Sequence, residues 1–224
     1  MTDAHCHLSG GDASVREFLV GRDFFGVHPW ETLGEPPAPE DVVAGLRERL
    51  LQDPSAGVGE IGLDRLKERE ISPGMRAVFE AQLRLALSLG RPVVLHGAKC
   101  WGEVVKAVRA AVAGRAAARF LFHGFSRSDG LLPEMVALGG YLSVGPAVLN
   151  DHAVNYRELV KKIPPDRLLV ETDRTQESAP TCPPLPDILA KTAALRGVAV
   201  DDLERLTDAN ASAFRQASSS VSAS

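Results

Sequence analysis

Short apolar runs recur along the chain, and each closes on an ionisable residue. AGVGEIGLD contains Glu60, PVVLHG ends at His96, RFLFHGF reaches His123, and RLLVETD ends in Asp173. Brief runs of Val, Leu, Ile or Phe followed by Gly or a polar residue read as buried parallel strands. Between them, DVVAGLRERL and VFEAQLRLALSLG carry the 3.6-residue spacing of amphipathic helices. The alternation predicts strands near 2–8, 23–28, 56–62, 92–96, 119–123, 141–145 and 167–172. It predicts helices near 40–52, 74–90, 101–113, 129–139, 153–163, 185–197 and 201–216. Gly90 and Pro92 punctuate the second helix. GEPPAPE at 34–40 and SAPTCPPLP at 178–186 are Pro-rich loops, and the tail ASSSVSAS reads as disordered.

This alternation is that of a parallel α/β fold whose site gathers at the carboxyl ends of the strands. A closed (β/α)8 barrel of the TIM type wants eight strands, and seven are clear. The shortage lies between His7 and Phe24, where sixteen residues leave no room for two full strand–helix units. REFLV at 16–20 is either a vestigial second strand or a short helix. The expectation is a barrel shortened near its N-terminus, one unit over 1–216, with 217–224 as the tail.

Composition narrows the partners. The chain has 224 residues, 45% of them hydrophobic, enough for a substantial core. Its net charge of −4 gives no global attraction for nucleic acid, so a polyanion must be held locally. No 18-residue apolar stretch argues for a membrane span, and the first ten residues read as part of the fold rather than as a leader. Cys6, Cys100 and Cys182 are an odd set without C-x-x-C, which fits a reduced, cytoplasmic setting. No motif points to an obligate protein partner.

The chemistry concentrates at strand ends. In DAHCH, His5 and His7 are two apart, so a strand aims both imidazoles the same way and Cys6 the other way, as a buried thiol. Two imidazoles from one strand suit a metal ion. Any single histidine is explained as well by a hydrogen bond in a core. Four further strands repeating the placement are not, and His5, His7, Glu60, His96, His123 and Asp173 form a candidate hexad.

The chain resembles the TatD family of metal-dependent deoxyribonucleases, within the amidohydrolase-like metal barrels. The matching segments are DAHCHL, FGVHPW, GVGEIGLDR, FEAQLRLALSLGRPVVLH, FLFHGFS, LGGYLSVGP, PPDRLLVETD and the late NASAFR. The resemblance implies a (β/α)8-type barrel, divalent metals and phosphodiester hydrolysis, with the hexad as ligand set. The departures fall in loops: Arg174-Thr175-Gln176 stands where the family has Ala-Pro, and Gly97-Ala98-Lys99 where it often has Ser-Arg.

Four histidines and two carboxylates exceed the needs of one ion and suit two, with Glu60 as the bridge. His5, His7 and Asp173 are then candidates for one ion, and His96 and His123 for the other. Asp173 is also the candidate general base. Imidazoles favour Zn or Mn over Mg, yet Mg is familiar in the family, so the metal stays open among the three. Asp3 faces the side of His5 and is a candidate acceptor for an imidazole N–H. Asp64 either braces the loop carrying Glu60 or is a turn residue. His28 either contacts phosphate or a ligand histidine, or stacks on Trp30. Arg65, Lys99, Arg127 and Arg174 are candidate phosphate contacts. His152 is an exposed loop histidine that a substrate can reach, and Trp101 packs or borders the pocket.

Three readings remain. The first is a metal-dependent DNase of single-stranded or frayed ends. The second is a hydrolase of a small amide, lactone or phosphoester on the same centre. The third is a non-catalytic metal-binding barrel.

Overall fold

The computed structural model describes residues 1–113, 118–126 and 129–216, so the expected tail and the candidate Arg127 lie outside the described residues. The elements run β1 (Thr2–Cys6), β2 (Arg16–Leu19), β3 (Phe24–Phe25), α1 (Pro39–Gln52), β4 (Gly57–Asp64), α2 (Pro73–Ser88), β5 (Val93–Ala98), α3 (Trp101–Val112), β6 (Phe120–Phe122), α4 (Leu132–Ala137), β7 (Gly140–Val144), α5 (Val154–Lys162), β8 (Leu168–Val170), α6 (Leu185–Arg196) and α7 (Val200–Arg215). Every ladder is parallel. One sheet runs β3-β4-β5-β6-β7-β8 and the other pairs β1 with β2.

The strands follow chain order, as in a TIM-type barrel, with ladders interrupted at two seams. A single bridge between Val20 and Phe24 joins β2 to β3. Between β8 and β1, Asp173 N donates to His5 O at 3.0 Å and His7 N donates to Arg174 O at 2.8 Å. Asp3 reinforces this second seam by accepting from Thr172 N (3.0 Å) and Thr172 Oγ1 (2.6 Å).

Seven strands are clear in the sequence and eight are present. REFLV provides β2, paired with β1 in the register Thr2↔Arg16 and Cys6↔Leu19. A short loop and a tight turn replace the two missing helices. Phe18 and Phe24, near that gap, are covered by guanidinium groups instead. Arg16 lies 5.3 Å and Arg215 5.2 Å from the Phe18 ring, and Arg215 lies 4.9 Å from that of Phe24.

Strand alternation sorts the core in two. Val93, Leu95, Phe120, Phe122, Leu168 and Val170 belong to the larger cluster shared with the helices. Val94, Leu121, Tyr141 and Leu169 point the other way and pack with Phe24 and with Phe214 of α7. His96, His123 and Glu171 share the parity of this second set. The inward face is therefore apolar toward the strand starts and ionisable toward the strand ends.

Candidate metal centre

Glu60 stands in the middle of β4, whose residues are all buried. Its two carboxylate oxygens face two different groups. Oε2 lies 3.2 Å from His5 Nε2 and 3.1 Å from His7 Nε2. The same two nitrogens lie 3.6 and 3.7 Å from Asp173 Oδ1. Oε1 lies 2.5 Å from His96 Nδ1 and 2.6 Å from His123 Nε2. The structure thus brings together all six residues of the expected hexad. His7, one residue beyond β1, still converges with His5 as the two-residue spacing predicts.

The nitrogens used are set by what holds the far side of each ring. Asp64, at the end of β4, accepts from His96 Nε2 at 2.8 Å, so His96 turns Nδ1 toward Glu60. The same carboxylate accepts from Trp30 Nε1 at 2.9 Å and from the backbone N–H groups of Leu66 and Lys67. Asp64 is therefore both a turn residue and the anchor of His96. Burial pushes its carboxyl up, but these donors outweigh it and hold it at about 2. His123 has the opposite arrangement. Its Nδ1 lies 3.8 Å from Glu171 Oε1, leaving Nε2 for Glu60. Glu171 is fully buried and accepts from Gly124 N at 2.8 Å. Its place in ETD gives no separate signal in the sequence, although it shares the parity of His123 and Asp173 at the strand ends.

Electrostatics follow this packing. Burial alone would raise the Glu60 carboxyl, but His123 and the other imidazoles hold it well below its ordinary range. Burial alone would lower His123, and Glu60 and Glu171 raise it well above the ordinary histidine value. His96 is also raised: Asp64 and Glu60 overcome its burial.

Close backbone approach explains the glycine of GEIGLD. At Gly62, with φ +157°, a Cβ would sit 2.0 Å from His96 O. Asp173 has φ +50° and Lys99 φ +57°, a left-handed region costly for residues other than Gly and least so for Asn and Asp. Both follow site strands, the usual place for such strain.

The peripheral candidates separate. Asp3 differs from expectation: it binds no imidazole N–H. Its carboxylate accepts from Thr172 and, at 3.3 Å, from the His5 backbone N. Burial, opposed by these bonds, raises it to about 7. A groove of about 860 Å3 opens beside the centre, lined by Arg65, Lys99 and Lys106 together with His96, His123 and Asp173. Arg65 is paired there with Glu103 at 3.3 Å. Arg174 donates inward to Ala179 O, and His152 lines a different groove. Trp101 is buried against Phe122 and Phe125, and Cys6 is buried near Phe18 O. His28 meets Trp30 edge-on at 4.9 Å rather than stacked, and it also meets the candidate ligand His96 at 4.7 Å between ring centres, with its Nε2 3.5 Å from Glu60 Oε1.

The donor set fits divalent cations. Ligating atoms of His5, His7 and Glu60, and of His5, His123 and Asp173, lie within 4.8 Å of one another. Both ring nitrogens of His5 are buried without a well-directed hydrogen bond, which is costly unless a cation takes a lone pair. The model of the TatD-related DNase family matches residues 19–216. The chain belongs to the TatD-related DNase family. His5 and His7 precede the matched residues, so their place rests on geometry. In Klebsiella pneumoniae (strain 342), the 3′-5′ ssDNA/RNA exonuclease TatD is 30% identical over 200 residues, covering 83% of this chain and 73% of that protein. The metal-dependent hydrolase YabD of Bacillus subtilis (strain 168) is 30% identical over 148 residues, 66% of this chain but 56% of YabD. The crystal structure of YjjV, a TatD homologue of Escherichia coli K12, superposes with a TM-score of 0.71 at 22% identity, covering 91% of this chain and 78% of that one. That likeness establishes the TatD barrel fold. The named relatives establish a metal-dependent hydrolase, and among the described residues no helix is long and apolar enough to cross a membrane.

Proposed function

We propose that this TatD-family chain holds two divalent ions across Glu60 and hydrolyses phosphodiester bonds at single-stranded or frayed DNA ends. The observation that carries the reading is the division of the Glu60 carboxylate, with one oxygen toward His5 and His7 and the other toward His96 and His123. Asp173 would complete the first group, and Glu60 would be shared between the two groups. Divalent ions in such a donor set polarise a phosphoryl group and lower the pKa of water.

The chain's own residues do the rest. Asp173 Oδ1, beside His5 and His7, accepts the proton of the attacking water. Asp64 and Glu171 keep His96 and His123 turned with the required nitrogen forward. Arg65 and Lys99 line the approach and take the charge of neighbouring phosphates. The net charge of −4 and the narrow basic lining suit one end of a strand better than the length of a duplex.

The experiment incubates Mn- or Zn-loaded protein with labelled single-stranded DNA, duplex DNA and a small phosphodiester. Faster cleavage of the single strand supports the reading. Cleavage of the small diester alone transfers the centre to small-molecule hydrolysis. Bound metal with no cleavage of any substrate favours another scissile bond or a binding role.

A further inference from the structure

His28 stands at the rim of the centre, 19% exposed, with Nε2 3.5 Å from Glu60 Oε1. Its ring lies 4.7 Å from that of His96. Together with Glu60 and His96 it forms a third group with metal-binding spacing. Spacing alone would make it a seventh ligand. Its tautomer argues otherwise.

His28 is the N-cap of the 3-10 turn Pro29–Thr32. Its Nδ1 accepts the backbone N–H of Trp30 at 3.1 Å, and Glu31 Oε1 accepts its own backbone N–H at 2.9 Å. A backbone N–H can only donate, so Nδ1 must present its lone pair to it. The proton of the neutral ring therefore sits on Nε2, the atom that faces Glu60. To bind a cation through Nε2, the ring would have to move that proton to Nδ1, against the Trp30 N–H, and break the cap. His96 and His123 have the reverse arrangement, with carboxylates beside their far nitrogens. Of the five imidazoles around Glu60, His28 alone is fixed as a donor by a backbone group among the described residues.

We propose that His28 is a substrate contact and not a metal ligand: its Nε2–H donates to a phosphoryl oxygen held at the Glu60–His96 side of the centre. This rests on the phosphodiesterase reading above. A fixed donor aimed where negative charge accumulates needs no reorganisation when substrate arrives.

Two substitutions in the full chain separate the roles of the ring. His28→Asn keeps an acceptor near Nδ1, and Asn is a favoured N-cap, but it loses the Nε2 donor. His28→Gln places an amide N–H near the former Nε2. Three readouts are taken: metal content after Mn loading, inorganic phosphate binding to the metal-loaded protein by calorimetry, and thermal unfolding of the metal-free protein. The asparagine variant should match wild type in metal content and unfolding temperature and bind phosphate about 10- to 100-fold more weakly, the worth of one hydrogen bond to a charged group. Glutamine should recover part of that loss. Loss of an ion in the asparagine variant, wild-type phosphate affinity in it, or a glutamine variant no better than asparagine would each overturn the proposal. A wild-type protein that takes up no metal would sink the hydrolase reading itself, and this proposal with it.

Discussion

Replacing Asp64 by asparagine is the sharpest test of how the centre is held. Four donors converge on this buried carboxylate: His96 Nε2, Trp30 Nε1 and the backbone N–H groups of Leu66 and Lys67. Asn offers one carbonyl oxygen and an amide that itself donates. If the carbonyl keeps the backbone pair, the amide faces two N–H groups. Trp30 is 46% exposed and can turn to water, so the loss falls on His96. An unsatisfied buried donor costs about 1–3 kcal/mol, a fall of roughly 2–12 °C in the Tm of metal-free protein of this size. His96 can escape only by moving its proton to Nδ1, the nitrogen 2.5 Å from Glu60. That removes the lone pair a cation needs. Metal affinity at the His96–His123 side should therefore fall about 10- to 100-fold, as is usual when the group orienting a ligand is lost. Calorimetric titration with Zn or Mn, with elemental analysis, measures it. Trp30→Phe is the control: it removes one donor, leaves the Asp64–His96 pair and should change metal affinity little. An Asp64→Asn protein that binds the full metal complement with wild-type affinity would refute the reasoning.

Three further outcomes are expected. Asp173→Asn should fold normally, since the side chain is 44% exposed and Asn tolerates the left-handed backbone, yet lose at least ~10²-fold in kcat; an active variant would place the base elsewhere. Metal-free protein should be less stable at pH 8.5 than at pH 6, read as Tm. The folded values of His96 and His123 are raised, so their stabilisation is full below the ordinary value of about 6.5 and is lost as pH rises through the folded values. Asp3, raised to about 7, adds a loss of the same sign between about 4 and 7, whereas lowered Glu60 withdraws its share only in acid. A Tm that rises between pH 6 and 8.5 without metal would contradict these directions. Binding of single-stranded DNA should depend weakly on salt, with a log–log slope shallower than about −3, because few phosphates meet Arg65 and Lys99; a slope near −8 would mean a long basic track.

Much of the fold is legible in the sequence because two periodicities carry it. Buried parallel strands read as short apolar runs, and the helices between them as 3.6-residue repeats, so most elements fall within a few residues of their expected bounds. The lapses have a common cause. β2 is four residues long with an exposed Arg16 at its start, and β3 fills only two residues of the strand expected near 23–28. Segments that brief contain no period to detect, and their place is fixed by pairing with β1 and β4. The cover over Phe18 is equally non-local, because Arg215 reaches it from the far end of the chain.

The site divides in the same way. Side chains at strand ends are found from where the apolar runs stop, and that placement groups His5, His7, Glu60, His96, His123 and Asp173. Which nitrogen each imidazole turns inward is not a property of spacing. It depends on the partner of the far nitrogen, and those partners come from distant segments: Asp64 lies 32 residues before His96, and Glu171 lies 48 after His123. His28 shows the consequence most clearly. Its Nε2 lies within 3.5 Å of the same carboxylate oxygen as the candidate ligands, so proximity cannot distinguish it from them. A single backbone N–H, two residues along the chain, fixes its proton. In a centre crowded with imidazoles, the division between residues that hold a cation and residues that meet the substrate is therefore drawn by hydrogen bonds on the outer side of each ring.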